Sequence, residues 1–147
     1  MLNSSSLKKA ELRNYNILLV DDDPHMLDVT HEILADEGYH ITTATSGEAA
    51  IEILQTKDFD LVITDLNMGQ INGISVLQKA KELKPEIMVI ITTACSDVAY
   101  IIKALQLNAN DYILKPFKLD DLLYRVSLCL EKPFSLGFHH TRHIKIA

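Results

Sequence analysis

Asn16-Ile17-Leu18-Leu19-Val20-Asp21-Asp22-Asp23 is the stretch on which the fold is decided: an apolar run that stops against three consecutive acids. A short apolar run bounded by polar residues reads as a strand of a parallel sheet, which is covered on both faces and need not alternate. The same pattern recurs twice. Leu61-Val62-Ile63-Thr64 runs into Asp65, and Asp111-Tyr112-Ile113-Leu114 runs into Lys115-Pro116-Phe117. In parallel sheets ligand sites form outside the carboxyl ends of the strands. Acids and a lysine delivered to one such edge make a site for a divalent cation and a phosphate-like group.

Between these runs the pattern alternates strand and helix five times. The first strand covers Asn16 to Val20. Asp23 is placed to cap a helix with Pro24 at its first position, and Met26, Val29 and Ile33 share one face of it. Gly38 closes that helix. His40 to Ala44 is half polar and reads as an edge strand. Ser46-Gly47-Glu48 opens a second helix carrying Ala49, Ala50, Ile53 and Leu54. The third strand ends at Asp65, Leu66 to Asn72 is a loop, and Gly73 to Lys84 is a helix stopped by Pro85. Ile87 to Thr92, the most apolar strand, is expected at the centre. Val98, Ile101, Ile102 and Leu105 fall at helical spacing, and the fifth strand ends at Lys115. The last helix carries Leu119, Leu122, Leu123, Val126 and Leu130 on one stripe. Strands alternating with helices across short loops imply right-handed βαβ units in a doubly wound α/β sheet. The domain is expected over 16–132, after an N-terminal arm at 1–15. Residues 133–147, with His139, His140, Arg142, His143 and Lys145, read as a basic tail or the start of a truncated linker.

At 147 residues the chain fits one domain with a substantial core. Its 48% hydrophobic and 23% charged residues are ordinary for a globular protein. A net charge of −6 argues against a broad nucleic-acid or anionic-membrane surface. No run is long enough to span a bilayer, and Met1 to Tyr15 lacks the apolar core of a signal peptide. Cys95 and Cys129 suggest neither a disulfide framework nor a zinc site, and read as reduced, mostly buried thiols of a cytoplasmic protein. His25 and His31 do not share a helix face, so they do not read as a metal pair.

The chemistry lies in the acids. At least one of Asp21 and Asp22 points across the top of the sheet, towards Asp65 from a neighbouring strand. Carboxylates this close repel unless a cation joins them, and Mg²⁺ suits a few carboxylate oxygens together with a phosphoryl oxygen. Asp65 is then a candidate nucleophile that forms an aspartyl phosphate. Lys115 counters the phosphoryl charge, and the Thr93 hydroxyl reaches another phosphoryl oxygen. Asp23 is better read as a helix cap than as a metal ligand. Taken alone, Thr93 is a core hydroxyl and Tyr112 a packed strand aromatic.

In Ile17 to Asp23, Asp65-Leu66-Asn67-Met68, Asn72-Gly73, Thr93-Ala94 and Tyr112 to Phe117, the chain resembles the receiver domain of bacterial two-component response regulators. The resemblance runs in order from Asn16 to Lys132, and it brings with it a flavodoxin-like (βα)5 sandwich with strand order 2-1-3-4-5. It implies that Asp65 is the phospho-acceptor, that Asp21, Asp22, Asp65 and the backbone carbonyl of Asn67 bind Mg²⁺ (with Mn²⁺ as a substitute), and that Lys115 binds the phosphoryl group. Thr93 and Tyr112 become a switch pair, and Lys115-Pro116 a cis peptide.

The implied function is a phosphorelay switch. It takes a phosphoryl group from a sensor histidine kinase or histidine phosphotransfer protein and changes a surface on helix four, strand five and helix five that a downstream protein reads. Arg125 and Asp111 resemble charges that pair across homodimers of some such regulators. Neither direct nucleic-acid binding nor membrane insertion is implied. Its only enzymatic activity would be Mg²⁺-dependent self-phosphorylation from phosphodonors and slow autodephosphorylation. Residues 133–147 leave no room for an output domain, so a stand-alone receiver and a fragment of a longer regulator both fit. Three positions depart from the family pattern: Gly69 where proline is common, Asn72 where aspartate is frequent, and Asn108 where glycine is usual. Asparagine tolerates a left-handed backbone, so the turn at Asn108 should survive. The rival readings are a degenerate receiver that is never phosphorylated, an Asp-nucleophile phosphatase of haloacid-dehalogenase type, and a flavodoxin-like electron carrier. The phosphatase fits Asp21-x-Asp23 but not Asp65, and the carrier lacks a phosphate-binding loop after the first strand.

Overall fold

The computed structural model describes residues 15–94 and 98–131. The expected arm before Tyr15, Cys95 and the basic tail lie outside them. The element order is β1 (Asn16–Val20), α1 (Pro24–Asp36), β2 (His40–Ala44), α2 (Gly47–Thr56), β3 (Leu61–Asp65), α3 (Gly73–Leu83), β4 (Met88–Thr93), α4 (Val98–Gln106), β5 (Asp111–Leu114) and α5 (Leu119–Leu130). All strand pairs are parallel, and the sheet order is β2-β1-β3-β4-β5. This is the doubly wound α/β fold expected from the alternation.

The apolar runs are continuous because each strand feeds two cores. In β1, Leu18 and Val20 join a layer with Ala50 and Leu54 of α2, Val76, Leu77 and Ala80 of α3, and Ala104 of α4. Ile17 and Leu19 point the other way, towards Leu27 and Leu34 of α1 and Leu122, Val126 and Leu130 of α5. Successive strand side chains face opposite sides, so a run apolar at every position fills both layers. All of β3 is buried. The half-polar β2 is an edge strand, as its composition suggested.

The helix ends follow local chemistry. The Asp23 carboxylate accepts from His25 N (3.0 Å) and Met26 N (3.4 Å), with Pro24 at the first position, where no intrahelical N–H is needed. Ser46 caps α2 by accepting from Ala49 N at 3.1 Å. Gly38 follows α1 at φ 105°, and its N–H donates to Ala35 O at 3.0 Å, closing the helix. Asn108 takes φ 71° after α4, the left-handed turn that asparagine was expected to carry.

Several expectations need correction. The buried face of α1 is Leu27, Thr30 and Leu34, with Met26, Val29 and Ile33 beside it and only half-buried. Both triplets are helically spaced, and the pattern alone does not say which one meets the sheet. β4 is an interior strand, but β3 is the central one, because β5 lies beyond β4. On α4 only Ala104 is buried, while Val98 (62% exposed) and Ile102 (48%) face outward. That apolar stripe is therefore mostly surface. α3 ends at Leu83, with Lys84 as its cap, and β5 ends at Leu114, one residue earlier than expected in each case.

Candidate functional site

The carboxyl ends of β1 and β3 lie side by side, with that of β5 beyond β4, and the long Lys115 side chain spans back so that Asp21, Asp65 and Lys115 meet above the sheet. Lys115 Nζ donates to Asp21 Oδ2 at 2.7 Å and to Asp65 Oδ2 at 3.2 Å. The other oxygen of Asp21 accepts from Asp23 N at 2.9 Å, which fixes the carboxylate's orientation. Asp65 Oδ1 accepts a longer bond from Asn67 N at 3.4 Å. Asp21 and Asp65 are buried, whereas Asp22 is exposed. Carboxylate oxygens of Asp21, Asp22 and Asp65 all lie within 4.8 Å of one another. Hard oxygen donors at this spacing, with one acid open to solvent, suit a small divalent cation such as Mg²⁺.

The electrostatics are those of an overfilled acidic corner. Burial raises the Asp65 carboxyl above its ordinary value; Lys115 opposes this, and the charge of Asp21 adds to it. For Lys115, burial works against the ammonium, but the hydrogen bond to Asp21 and the charges of Asp65 and Asp21 outweigh it and raise its value. Lys115 therefore stays protonated, while Asp65 is held less firmly as a carboxylate than an ordinary aspartate. A divalent cation would relieve that imbalance.

The remaining candidates surround this corner. Thr93 is the last residue of β4, not a residue beyond it. It is wholly buried, and its carbonyl accepts from Lys115 N at 2.8 Å. Tyr112 is half-buried on β5 and packs against the layer built on α2, α3 and α4. The Lys115-Pro116 peptide is cis. Asn67 is exposed in a loop whose neighbours Leu66 and Met68 are buried. Gly69 takes φ 68°, which the ring of a proline forbids, so the departure at this position belongs to a differently shaped loop.

Two features escaped the sequence reading. Asn72 caps α3, its Oδ1 accepting from Ile74 N (2.9 Å) and Ser75 N (3.2 Å). The signal was available, since asparagine just before an apolar helical stretch is a common start. Arg125, which resembles a charge that pairs across dimers, also has partners within the chain. Its Nη1 lies 2.8 Å from Asp111 Oδ1, and its Nε 3.3 Å from Asp121 Oδ1. Sequence separation hides a contact between β5 and α5.

The sequence pattern of the family described as the response regulator receiver domain matches residues 17–127. The chain is 39% identical over 109 residues to the transcriptional regulatory protein ZraR of Escherichia coli K12, covering 74% of this chain and 25% of that one. It thus spans about a quarter of that relative's length. Among solved structures it is similar to a CheY-like receiver domain protein of Methanospirillum hungatei (30% identity, TM-score 0.78, 80% of this chain and 94% of that one). It is also similar to the response regulator TrrA of Thermotoga maritima in complex with Mg²⁺-BeF (34% identity, TM-score 0.72, 79% and 99%).

Proposed function

The chain belongs to the response regulator receiver family, and we propose on that premise that it is a phosphorylation-dependent switch whose acceptor is Asp65. The observation that carries this reading is the position of Lys115 Nζ, 2.7 Å from Asp21 and 3.2 Å from Asp65, beside a third carboxylate. An ammonium shared between two carboxylates needs only a small movement to follow charge that shifts from Asp65 onto a phosphoryl group. The donor is a phosphohistidine of a sensor kinase or a histidine phosphotransfer protein. A carboxylate oxygen of Asp65 attacks phosphorus, the phosphorus–nitrogen bond breaks, and its electron pair returns to the imidazole, which takes up a proton. The product is an acyl phosphate on Asp65. Such transfer requires mainly positioning and charge stabilisation.

Asp21, Asp22, Asp65 and the backbone carbonyl of Asn67 would hold Mg²⁺, or Mn²⁺ in its place. The bound cation supplies charge neutralisation for the phosphoryl oxygens. Asp21, oriented by Asp23 N–H, presents its carboxylate in a fixed direction. Thr93 and Tyr112 act as the switch pair: the hydroxyl moves towards the phosphoryl group and the ring turns inward. The phosphorylated state gains the Thr93 and Lys115 contacts, and that preference is what shifts the population.

The surface that changes is made by α4, β5 and α5. Val98, Tyr100, Ile102, Leu114, Tyr124 and Leu128 are exposed large apolar residues there, a composition suited to a downstream protein target. Among the described residues, no helix is long and apolar enough to cross a membrane. The test is an amide NMR titration with Mg²⁺ and beryllium fluoride, a mimic of the acyl phosphate. Shifts at Thr93, Tyr112 and Lys115 that need both additions and vanish in Asp65→Asn are expected. A spectrum indifferent to the pair would refute the reading.

A further inference from the structure

Gly47 and Gly73 are buried, and neither takes a positive φ, so backbone freedom does not explain a glycine at either place. Space does. A Cβ on Gly73 would overlap the carbonyl oxygen of Asp65 and stand 2.9 Å from Leu66 Cα and 3.1 Å from Asp65 C. A Cβ on Gly47 would overlap the carbonyl oxygen of Ile71 and stand 2.7 Å from its Cγ2. In both cases the obstacle includes backbone, which cannot swing aside as a side-chain tip can.

These two contacts grip the ends of one loop. Gly73 sits against the residue that opens it, and its N–H donates to Leu66 O at 2.8 Å, drawing the loop's ends together. Gly47, at the first turn of a different helix, receives the far side of the loop at Ile71. Between them lie Asn67, whose carbonyl is in the proposed metal shell, and the buried Met68. Asn67 N also donates to Asp65 itself.

We propose that Gly47 and Gly73 are positioning residues for the phosphorylation site: α2 and α3 seat the 66–72 loop backbone to backbone, and this seating places the Asn67 carbonyl and the Asp65 carboxylate for the cation. The inference rests on the Asp65 reading above, but it adds a contribution from α2, an element that touches none of the reacting groups. A methyl group at Gly47 obliges the Ile71 carbonyl to retreat by roughly 1 Å to reach ordinary van der Waals separation. The loop passes that displacement towards Asn67. Groups that orient metal ligands typically lose about 10- to 100-fold in metal affinity or activity when changed.

The experiment measures Mg²⁺ affinity by calorimetry and the initial rate of acetyl phosphate labelling at fixed Mg²⁺, on wild type, Gly47→Ala and Ser46→Ala. Ser46→Ala removes the cap of the same helical turn without adding an atom against Ile71, so it reports lost stability alone. Gly47→Ala is expected to bind Mg²⁺ about tenfold more weakly, with labelling recovered at high Mg²⁺. Ser46→Ala should melt earlier yet bind Mg²⁺ as wild type does. If Gly47→Ala does not fold, Gly47→Ala with Ile71→Gly is compared with Ile71→Gly alone, and the double variant is expected to bind Mg²⁺ more weakly, because the carbonyl at 71 still meets the added methyl. A folded variant with wild-type Mg²⁺ affinity and labelling rate would overturn the proposal, as would a Ser46→Ala variant that weakens Mg²⁺ binding as much as Gly47→Ala does. Wild type that takes no label at all would instead overturn the assignment of Asp65, a distinguishable result.

Discussion

Asp65 and Lys115 illustrate how a cluster of buried charges is uncomfortable without a cation to join it. Burial raises the Asp65 carboxyl, with Asp21 adding to the effect, so the folded metal-free protein holds that proton more tightly than the unfolded chain does. Such a group penalises folding once the unfolded chain can ionise it: the penalty is absent below the ordinary aspartate range, grows as pH rises from there to the folded value, and is constant above it. Asp65→Asn is therefore expected to make the metal-free protein more stable than wild type at neutral pH, with the difference fading as pH falls towards 4, the ordinary aspartate range being about 3.9. Urea unfolding at several pH values checks this, and equal stability at pH 7 would contradict it. Lys115→Met leaves Asp21 and Asp65 facing each other with no cation between them. The expected loss is about 2 kcal/mol in metal-free buffer, partly recovered with millimolar Mg²⁺. A loss insensitive to Mg²⁺ would mean that the lysine's role is packing alone.

At the scale of elements, the sequence was most legible where chemistry is local. Asp23 caps through its carboxylate the helix that begins beside it, and Pro24, Gly38 and Asn108 each stand where their own backbone is required. It was least legible where a helix face had to be aimed. Met26, Val29 and Ile33 share a face of α1, and Val98, Ile102 and Leu105 a face of α4, but periodicity gives only the angle between residues. Which face meets the sheet depends on where the neighbouring strands and helices leave room. The meeting of Asp21, Asp65 and Lys115 was legible in sequence because each stands at the end of an apolar run, and in a parallel sheet all such ends lie on one edge. The Arg125–Asp111 pair was not, since its members stand on α5 and β5 with a turn between them. Two predictions belong here. Asn72→Ala removes the α3 cap and should cost about 1 kcal/mol, whereas Asn72→Asp keeps an accepting oxygen and should cost little. Asn108→Ala should cost about 1 kcal/mol because alanine resists the left-handed turn, while Asn108→Gly should not destabilise. Chemical denaturation of the four variants separates these outcomes.

For the whole molecule, the site couples both cores, because β1 and β3 each feed both layers with alternate residues, and an acid of the cluster follows β1 (Asp21) and ends β3 (Asp65). A cation that binds only the folded arrangement must raise global stability by mass action, by about 2.7 kcal/mol at a hundredfold excess over its dissociation constant. The melting temperature should therefore climb with Mg²⁺ concentration in wild type, and stay flat when Asp21 and Asp22 are both changed to asparagine. On the proposed reading, phosphorylation at Asp65 would reach a partner through α4, β5 and α5 at the β5 edge of the sheet, and the apolar residues exposed there are the part of the surface with most to gain from being covered.

The central claim is that Asp65 takes up a phosphoryl group with the help of a divalent cation, and intact mass tests it most directly. Wild type and Asp65→Asn are incubated with acetyl phosphate, with Mg²⁺ or with excess EDTA, and weighed without digestion. The account predicts a gain of one phosphoryl group in wild type with Mg²⁺, and no gain in the mutant or in EDTA. A wild-type protein that stays unmodified with Mg²⁺, or a mutant that gains the same mass, would contradict it.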